Sequence, residues 1–197
     1  MIILMLIISY LIGSVSCGYL IAKKTRGIDI RKVGSGSTGA TNTARLLGLK
    51  FFAVVLVLDA LKGFFVFLLA SHFLMQTWAV LLCCGAVIIG HNWPLFFAFQ
   101  GGRGVATTLG VFLGIAPLPA LIVFGLFLLV IIFTRYVSLG SMLGAVAIPI
   151  TMLLLRFSGE YFIFGLAICL LLLWRHKPNI KRLLQGKESR LGEKIKF

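Results

Sequence analysis

Four stretches of this chain carry residue types that can handle an anion. The first is Gly34-Ser35-Gly36-Ser37-Thr38-Gly39-Ala40-Thr41-Asn42-Thr43-Ala44-Arg45. Its glycines let successive backbone N–H groups converge on a negative charge. The Ser and Thr hydroxyls add donors, and Arg45 adds a planar cation whose fork matches phosphate. No Gly-Lys-Ser/Thr follows, so this is not the Walker phosphate loop. The second stretch joins Gly90-His91-Asn92-Trp93-Pro94 to Gly101-Gly102-Arg103-Gly104-Val105-Ala106-Thr107. Gly-Gly-Arg-Gly opening an apolar run predicts an anion site at a helix N-terminus, where the dipole and the unbonded N–H groups favour negative charge. The third is Asp59, Lys62 and Gly63 inside an apolar run. Asp59 and Lys62, three apart, share a helix face and can pair, or Lys62 can reach a buried anion, because ionisable residues in a span face a partner or a cavity. The fourth is Arg175-His176-Lys177-Pro178-Asn179-Ile180-Lys181-Arg182, followed by Gly186-Lys187-Glu188. Each stretch also has a plainer reading: a flexible loop, a structural histidine, a satisfied ion pair, and a basic tail held by anionic headgroups.

The elements that must position these residues follow from composition. The chain has 197 residues, 60% hydrophobic and 12% charged, with a mean hydropathy of +1.08. A soluble domain is about half apolar and about a quarter charged. Here too few polar side chains exist to cover a water-facing surface, and disorder is excluded by the same balance. Apolar runs cover 2–22, 51–71, 78–90, 105–116, 118–134, 137–155 and 161–174. A spanning helix needs ~20 apolar residues, so the short third and fourth runs are extended to 78–92 and 103–116. Pro117 and Pro119 mark the turn that ends the fourth. Run 2–22 is a retained span and not a signal peptide, since it lacks a basic start and a small-x-small cleavage site. The fold class expected is all-α integral membrane: one polytopic domain over 1–197 with seven transmembrane helices and a basic tail over 175–197.

Charge sets the orientation. Nineteen Lys and Arg against five Asp and Glu give +14. In a soluble chain such a balance would suggest nucleic acid. Here every Lys and Arg except Lys62 and Arg156 lies in 23–50, 91–104, 135–136 or the tail. The positive-inside rule places those segments in the cytoplasm. An odd number of spans then puts the N-terminus outside and the C-terminus inside, with every glycine-rich polar segment on the cytoplasmic face. No nucleic-acid partner is expected. With Asp29 and Asp59 the only aspartates, a multi-carboxylate metal site is disfavoured, and no cofactor is expected. Cys17, Cys83, Cys84 and Cys169 all lie in apolar runs as small hydrophobes, without zinc spacing.

A positive, hydroxyl-lined, amide-rich face suits phosphate on a small polar substrate, and the spans beside it suit an acyl chain. No Gly-x-Ser-x-Gly elbow is present. Position +5 from His72, His91 and His176 is Thr77, Phe96 and Lys181, so the His-x-x-x-x-Asp acyltransferase pattern is absent as well. An organic-phosphate transporter is the alternative. It would carry inverted repeats, and none is visible. A non-catalytic scaffold would not need four anion-binding motifs.

The motifs Gly-Ser-Gly-x-x-Gly-Ala-Thr-Asn at 34–42, Leu-Asp-x-x-Lys-Gly at 58–63, Gly-His at 90–91 with Gly-Gly-x-Gly-Val-Ala-Thr at 101–107, and Arg-His-x-x-Asn-Ile-x-Arg-Leu at 175–183 resemble, in that order, the bacterial acyl-phosphate:glycerol-3-phosphate acyltransferases (the PlsY family). The resemblance implies transfer of a fatty acyl group from acyl phosphate to the 1-hydroxyl of glycerol 3-phosphate at the bacterial inner membrane, opening phospholipid synthesis. Carried over by position, it implies acyl phosphate on Gly34, Ser35, Gly36, Ser37, Gly39, Ala40, Thr41, Asn42, Gly102, Arg103 and Gly104. It implies glycerol 3-phosphate on Arg45, Lys62, His176 and Asn179, and catalytic roles for Ser35, Arg45, His91, Arg103 and His176. Ser37 and Arg103 depart from the family's Asn and Lys. The proton acceptor is left open between His91, His176 and the substrate phosphate. The phosphate is favoured, because no His–carboxylate dyad is visible in the sequence. Nothing in the sequence argues for more than a monomer.

Overall fold

The computed structural model describes residues 1–193, so Lys194 and Lys196 of the expected basic tail lie outside the described residues. Long apolar runs in hydrocarbon must satisfy their backbone internally, and they do so here as helices; among the described residues there is no strand. The chain forms two compact units, one of Met1–Gly114 with Gly192 and Glu193, the other of Ile115–Leu191.

The first unit contains α1 (Ile2–Gly13), α2 (Cys17–Arg26), a 3-10 turn at Ile30–Lys32, α3 (Ala40–Leu47), α4 (Leu49–Phe73), α5 (Thr77–Asn92), a second 3-10 turn at Leu95–Phe97, and α6 (Val105–Ile115). The second contains α7 (Pro117–Thr134), α8 (Val137–Leu154), α9 (Gly159–Arg175) and α10 (Lys177–Leu184). Among the described residues, five helical segments are long and apolar enough to cross a membrane: Ile2–Arg26, Leu49–Phe73, Thr77–Phe97, Pro117–Thr134 and Val137–Leu154. The pair α9 and α10, bent by 55°, makes a sixth.

Two expected spans are not continuous helices over their whole length. The span expected over 103–116 is a helix of only 11 residues, about 16 Å long at the helical rise. Gly101–Gly104 do not extend it, because Gly104 has φ 88°, outside the helical region. The span expected over 2–22 is interrupted at Ser14–Ser16, where Ser16 is extended before α2 begins.

Burial is inverted relative to a soluble protein. Ile3, Ile7, Phe65, Ile132, Phe133 and Ile163 are exposed, while Asp59, Lys62, His91 and Asn92 are buried. Such a surface is stable only against lipid, where small residues let helices approach closely. A Cβ on Gly13 would collide with Val87 O, and one on Gly90 with Tyr10 O, so α1 and α5 meet backbone to backbone. The same holds for α4 and α6, where Gly63 abuts Thr107 O and Gly110 abuts Ala60 O. In the second unit, Gly140 and Gly144 seat Phe127 and Val123 between α7 and α8, and Gly165 seats Met152 between α8 and α9.

Candidate active site

The glycine-rich loop is built around one side chain. Asn42, on the first turn of α3, is 1% exposed. Its Oδ1 accepts from Ser35 N at 3.1 Å, and its Nδ2 donates to Ser37 O at 2.9 Å, Val33 O at 3.0 Å and Ile30 O at 3.3 Å. Gly34 and Gly36, at φ 61° and 70°, let the chain wrap this amide in a conformation that costs other residues about 1 kcal/mol or more. Ser37 Oγ accepts from Gly39 N at 3.3 Å. The wrapped loop delivers the chain to Gly39, the N-cap of α3, which has no side-chain cap. The first N–H groups of that helix, from Ala40 on, have no intrahelical carbonyl to bond. Arg45, half-buried, lies one turn further along α3.

Asp29 anchors the loop from below. Arg31 donates to it from N at 3.0 Å, from Nε at 2.9 Å and from Nη2 at 2.7 Å. The Arg31 side-chain hydrogen bonds hold the Asp29 carboxyl down to about 2. Arg31 Nη1 also donates to Phe97 O at 3.0 Å, and its guanidinium lies 5.0 Å from the centre of the Tyr19 ring. One arginine thus ties the loop to α2 and to the Leu95–Phe97 turn.

Beneath the second anion segment lies a buried ionic cluster. Lys62 Nζ is 2.8 Å from Asp59 Oδ1 and 2.9 Å from His91 Nδ1. It also donates to Val15 O at 3.0 Å and Gly13 O at 3.2 Å, across the break between α1 and α2. His91 Nδ1 is 3.6 Å from Asp59 Oδ1. The sequence reading saw no His–carboxylate dyad. The structure brings this pair together through the Lys62 ammonium, because packing of α4 on α5 joins residues far apart in sequence. His91 O accepts from Gly102 N at 3.0 Å. The Gly102 main chain lies so close to the imidazole that a Cβ there would collide with His91 Nε2. Gly104 rests on the Asn92 side chain, and Arg103, half-buried, projects from the same turn. Immediately after it, α6 carries Thr107 and Thr108, whose hydroxyls are buried without a hydrogen-bond partner.

In the second unit, His176 lies at the bend between α9 and α10, and its Nδ1 donates to Leu172 O at 2.8 Å. Asn179 Nδ2 donates to Glu188 Oε1 at 2.6 Å, as does Ser138 Oγ at 2.8 Å, while Arg182 Nε donates to Glu188 Oε2 at 2.7 Å. Burial pushes the Glu188 carboxyl up, but the hydrogen bonds from Arg182, Asn179 and Ser138 outweigh it and hold the group below its ordinary value. Among the described residues, no three His, Cys, Asp or Glu side chains converge as metal ligands do.

The family model described as glycerol-3-phosphate acyltransferase matches residues 3–186. The chain belongs to that family. A glycerol-3-phosphate acyltransferase of Thermoanaerobacter sp. (strain X514) is 45% identical over 191 residues, covering 97% of this chain and 96% of its own. One from Shouchella clausii (strain KSM-K16) is 46% identical, covering 94% and 93%. Among solved structures, PlsY (YgiH), an integral membrane glycerol 3-phosphate acyltransferase, in its glycerol 3-phosphate form superposes with a TM-score of 0.91 at 39% identity, covering 97% of this chain and 96% of that one. Its lysophosphatidic acid form gives 0.88 at 38% identity.

Within this acyltransferase, the first unit holds Gly34–Asn42, Arg45, Lys62, His91 and Gly102–Gly104, and the second holds His176 and Asn179. Sequence reasoning named Glu188 at the end of the fourth stretch but gave it no role. It missed the Asp29–Arg31 clasp, which the i,i+2 spacing of opposite charges hinted at.

Proposed function

We propose that the chain transfers a fatty acyl group from acyl phosphate to the 1-hydroxyl of glycerol 3-phosphate, yielding lysophosphatidic acid and inorganic phosphate. The observation that carries this reading is the preformed loop around Asn42, which opens onto the uncapped N-terminus of α3 in a chain of this family. Acyl phosphate is already activated, so the protein must orient the hydroxyl, stabilise the oxyanion and neutralise the departing phosphate. The main chain of Gly34–Thr41, with the Ser35 and Ser37 hydroxyls, cradles the acyl phosphate, and Gly102–Gly104 with Arg103 support the same anion. Asn42 acts by shaping the cradle, since its own amide is engaged by the loop. Arg45 takes the phosphate of glycerol 3-phosphate. His176 and Asn179 enter through the Arg175–Leu183 motif. The hydroxyl oxygen attacks the acyl carbon, the bond from that carbon to the phosphate oxygen breaks, and the hydroxyl proton passes to the leaving phosphate. No metal or cofactor takes part.

We place the chain in the bacterial inner membrane with seven passages, the short α6 counted as one of them, the N-terminus outside and the site on the cytoplasmic face. The clustering of Lys and Arg in 23–50 and the tail supports this. The test is acyl transfer by purified protein in lipid, with palmitoyl phosphate and glycerol 3-phosphate, with and without EDTA. Glycerol 3-phosphate-dependent release of phosphate with lysophosphatidic acid, unaffected by EDTA, is expected. Absence of turnover together with glycerol 3-phosphate flux into proteoliposomes would replace this reading with a transporter.

A further inference from the structure

We infer that Asp59 and Lys62 are positioning residues that hold His91 in the tautomer with its proton on Nε2, so that His91 meets the Gly101–Gly104 turn as a hydrogen-bond donor and not as a base. This rests on the acyl-transfer reading of the same site.

The argument starts from what an ammonium can do. A lysine side chain has three hydrogens to donate and no acceptor. Lys62 Nζ lies 2.9 Å from His91 Nδ1, so Nδ1 must accept. A proton on Nδ1 would set hydrogen against hydrogen, and in the doubly protonated ring charge against charge. Asp59 Oδ1, at 3.6 Å from Nδ1, is too distant to take such a proton as a hydrogen bond. With the Nδ1 lone pair engaged, the single proton of the neutral ring is on Nε2.

The same contacts fix the direction of Lys62. Asp59, one turn earlier on α4, holds its Nζ at 2.8 Å. The carbonyls of Gly13 and Val15 hold it from the break between α1 and α2. Its three hydrogens go to Gly13 O, Val15 O and His91 Nδ1, with Asp59 as the ion-pair partner, so Lys62 has no direction left in which to reach a substrate phosphate. Its charge acts through His91. On the far side of the ring, Nε2 lies against Gly102, whose N–H is pinned to His91 O. The donor edge of the imidazole therefore lies at the turn that opens α6, where an anionic oxygen would be bound. His176 has the opposite arrangement: its Nδ1 donates to Leu172 O, which makes Nε2 the acceptor atom of its neutral ring.

The experiment is 15N NMR of ring-labelled histidine in the substrate-free protein in lipid nanodiscs, with His91 assigned by its loss in His91→Gln. The expected spectrum shows an unprotonated Nδ1 and a protonated Nε2 for His91. A protonated Nδ1 would overturn the inference, whether or not the protein is active. Kinetics supply the second readout. Lys62→Met should lower kcat about 100-fold, the usual cost of a lost oxyanion-type donor, with KM for glycerol 3-phosphate unchanged and part of the loss restored in Lys62→Arg. A raised KM with kcat intact would instead make Lys62 a phosphate ligand and sink the proposal. If Lys62→Met does not fold, the wild-type spectrum decides alone. Failure of the acyl-transfer reading would show separately, as absence of turnover in the wild type.

Discussion

Replacing Asn42 by Ala would leave Ser35 N and Ser37 O without the Asn42 amide, while Ile30 O and Val33 O keep their bonds from Val33 N and Gly36 N. Orphaning buried polar groups costs about 1–3 kcal/mol. Asn42→Ala should therefore lower the unfolding midpoint in detergent and raise KM for acyl phosphate by about tenfold or more, tenfold being 1.4 kcal/mol. Retained KM with lowered stability would show that the loop does not shape the anion site. Glu188 gives a pH prediction. Its folded value is depressed, so its contribution is present above its unfolded value, about 4.3, and is lost as pH falls through the lower folded value. The Glu188 contribution, read as the difference in unfolding midpoint between wild type and Glu188→Gln, should be constant from pH 7 to 5 and shrink below that. At this scale the sequence was partly legible. Asp59 and Lys62 could be paired from their spacing, and they are paired. Asn42 could be seen beside the glycines, but whether its amide faces a ligand or the loop depends on the turns at Gly34 and Gly36, which composition does not specify. Nor can a sequence show that His91 lies against Lys62, 29 residues away.

Helices were the most legible part, because apolar runs of about 20 residues have no other stable form in lipid. The departures arise where glycine or serine interrupts a run. Gly101–Gly104 shorten α6, and Ser14–Ser16 divide the first helix, although the hydrophobicity continues through both. Helix contacts make a paired prediction. Gly110→Ala would drive a methyl into Ala60 O, displacing α6 and the turn that opens it. Overpacking of this kind costs about 1–3 kcal/mol, and turnover should fall with stability. Gly125→Ala, where a Cβ meets nothing within 4 Å, should be neutral or stabilising by up to about 1 kcal/mol through helix propensity. Equal effects of the two substitutions on the unfolding midpoint would refute the close packing of α4 on α6.

For the molecule as a whole, an exterior rich in exposed Leu, Ile and Phe makes the bilayer part of the folded state, and the proposed direction rests on the basic residues. Single cysteines at Lys24 and Gln76, both exposed, test this with a membrane-impermeant maleimide on intact cells. Gln76→Cys should label at once and Lys24→Cys only after permeabilisation; the reverse pattern would invert the topology. The native Cys83, Cys84 and Cys169 are buried and give little background, and the half-buried Cys17 is replaced by Ser in both variants. The interrupted first helix also bears on how the protein is made. Its carbonyls at Gly13 and Val15 are answered by an amine delivered 49 and 47 residues later. In hydrocarbon each unanswered carbonyl costs several kcal/mol. A nascent chain that has released only its first helix is therefore a poor tenant of the bilayer. The break in the first helix is satisfied only once α4 lies beside it, so a chain ending before Lys62 should leave those two carbonyls unpaired.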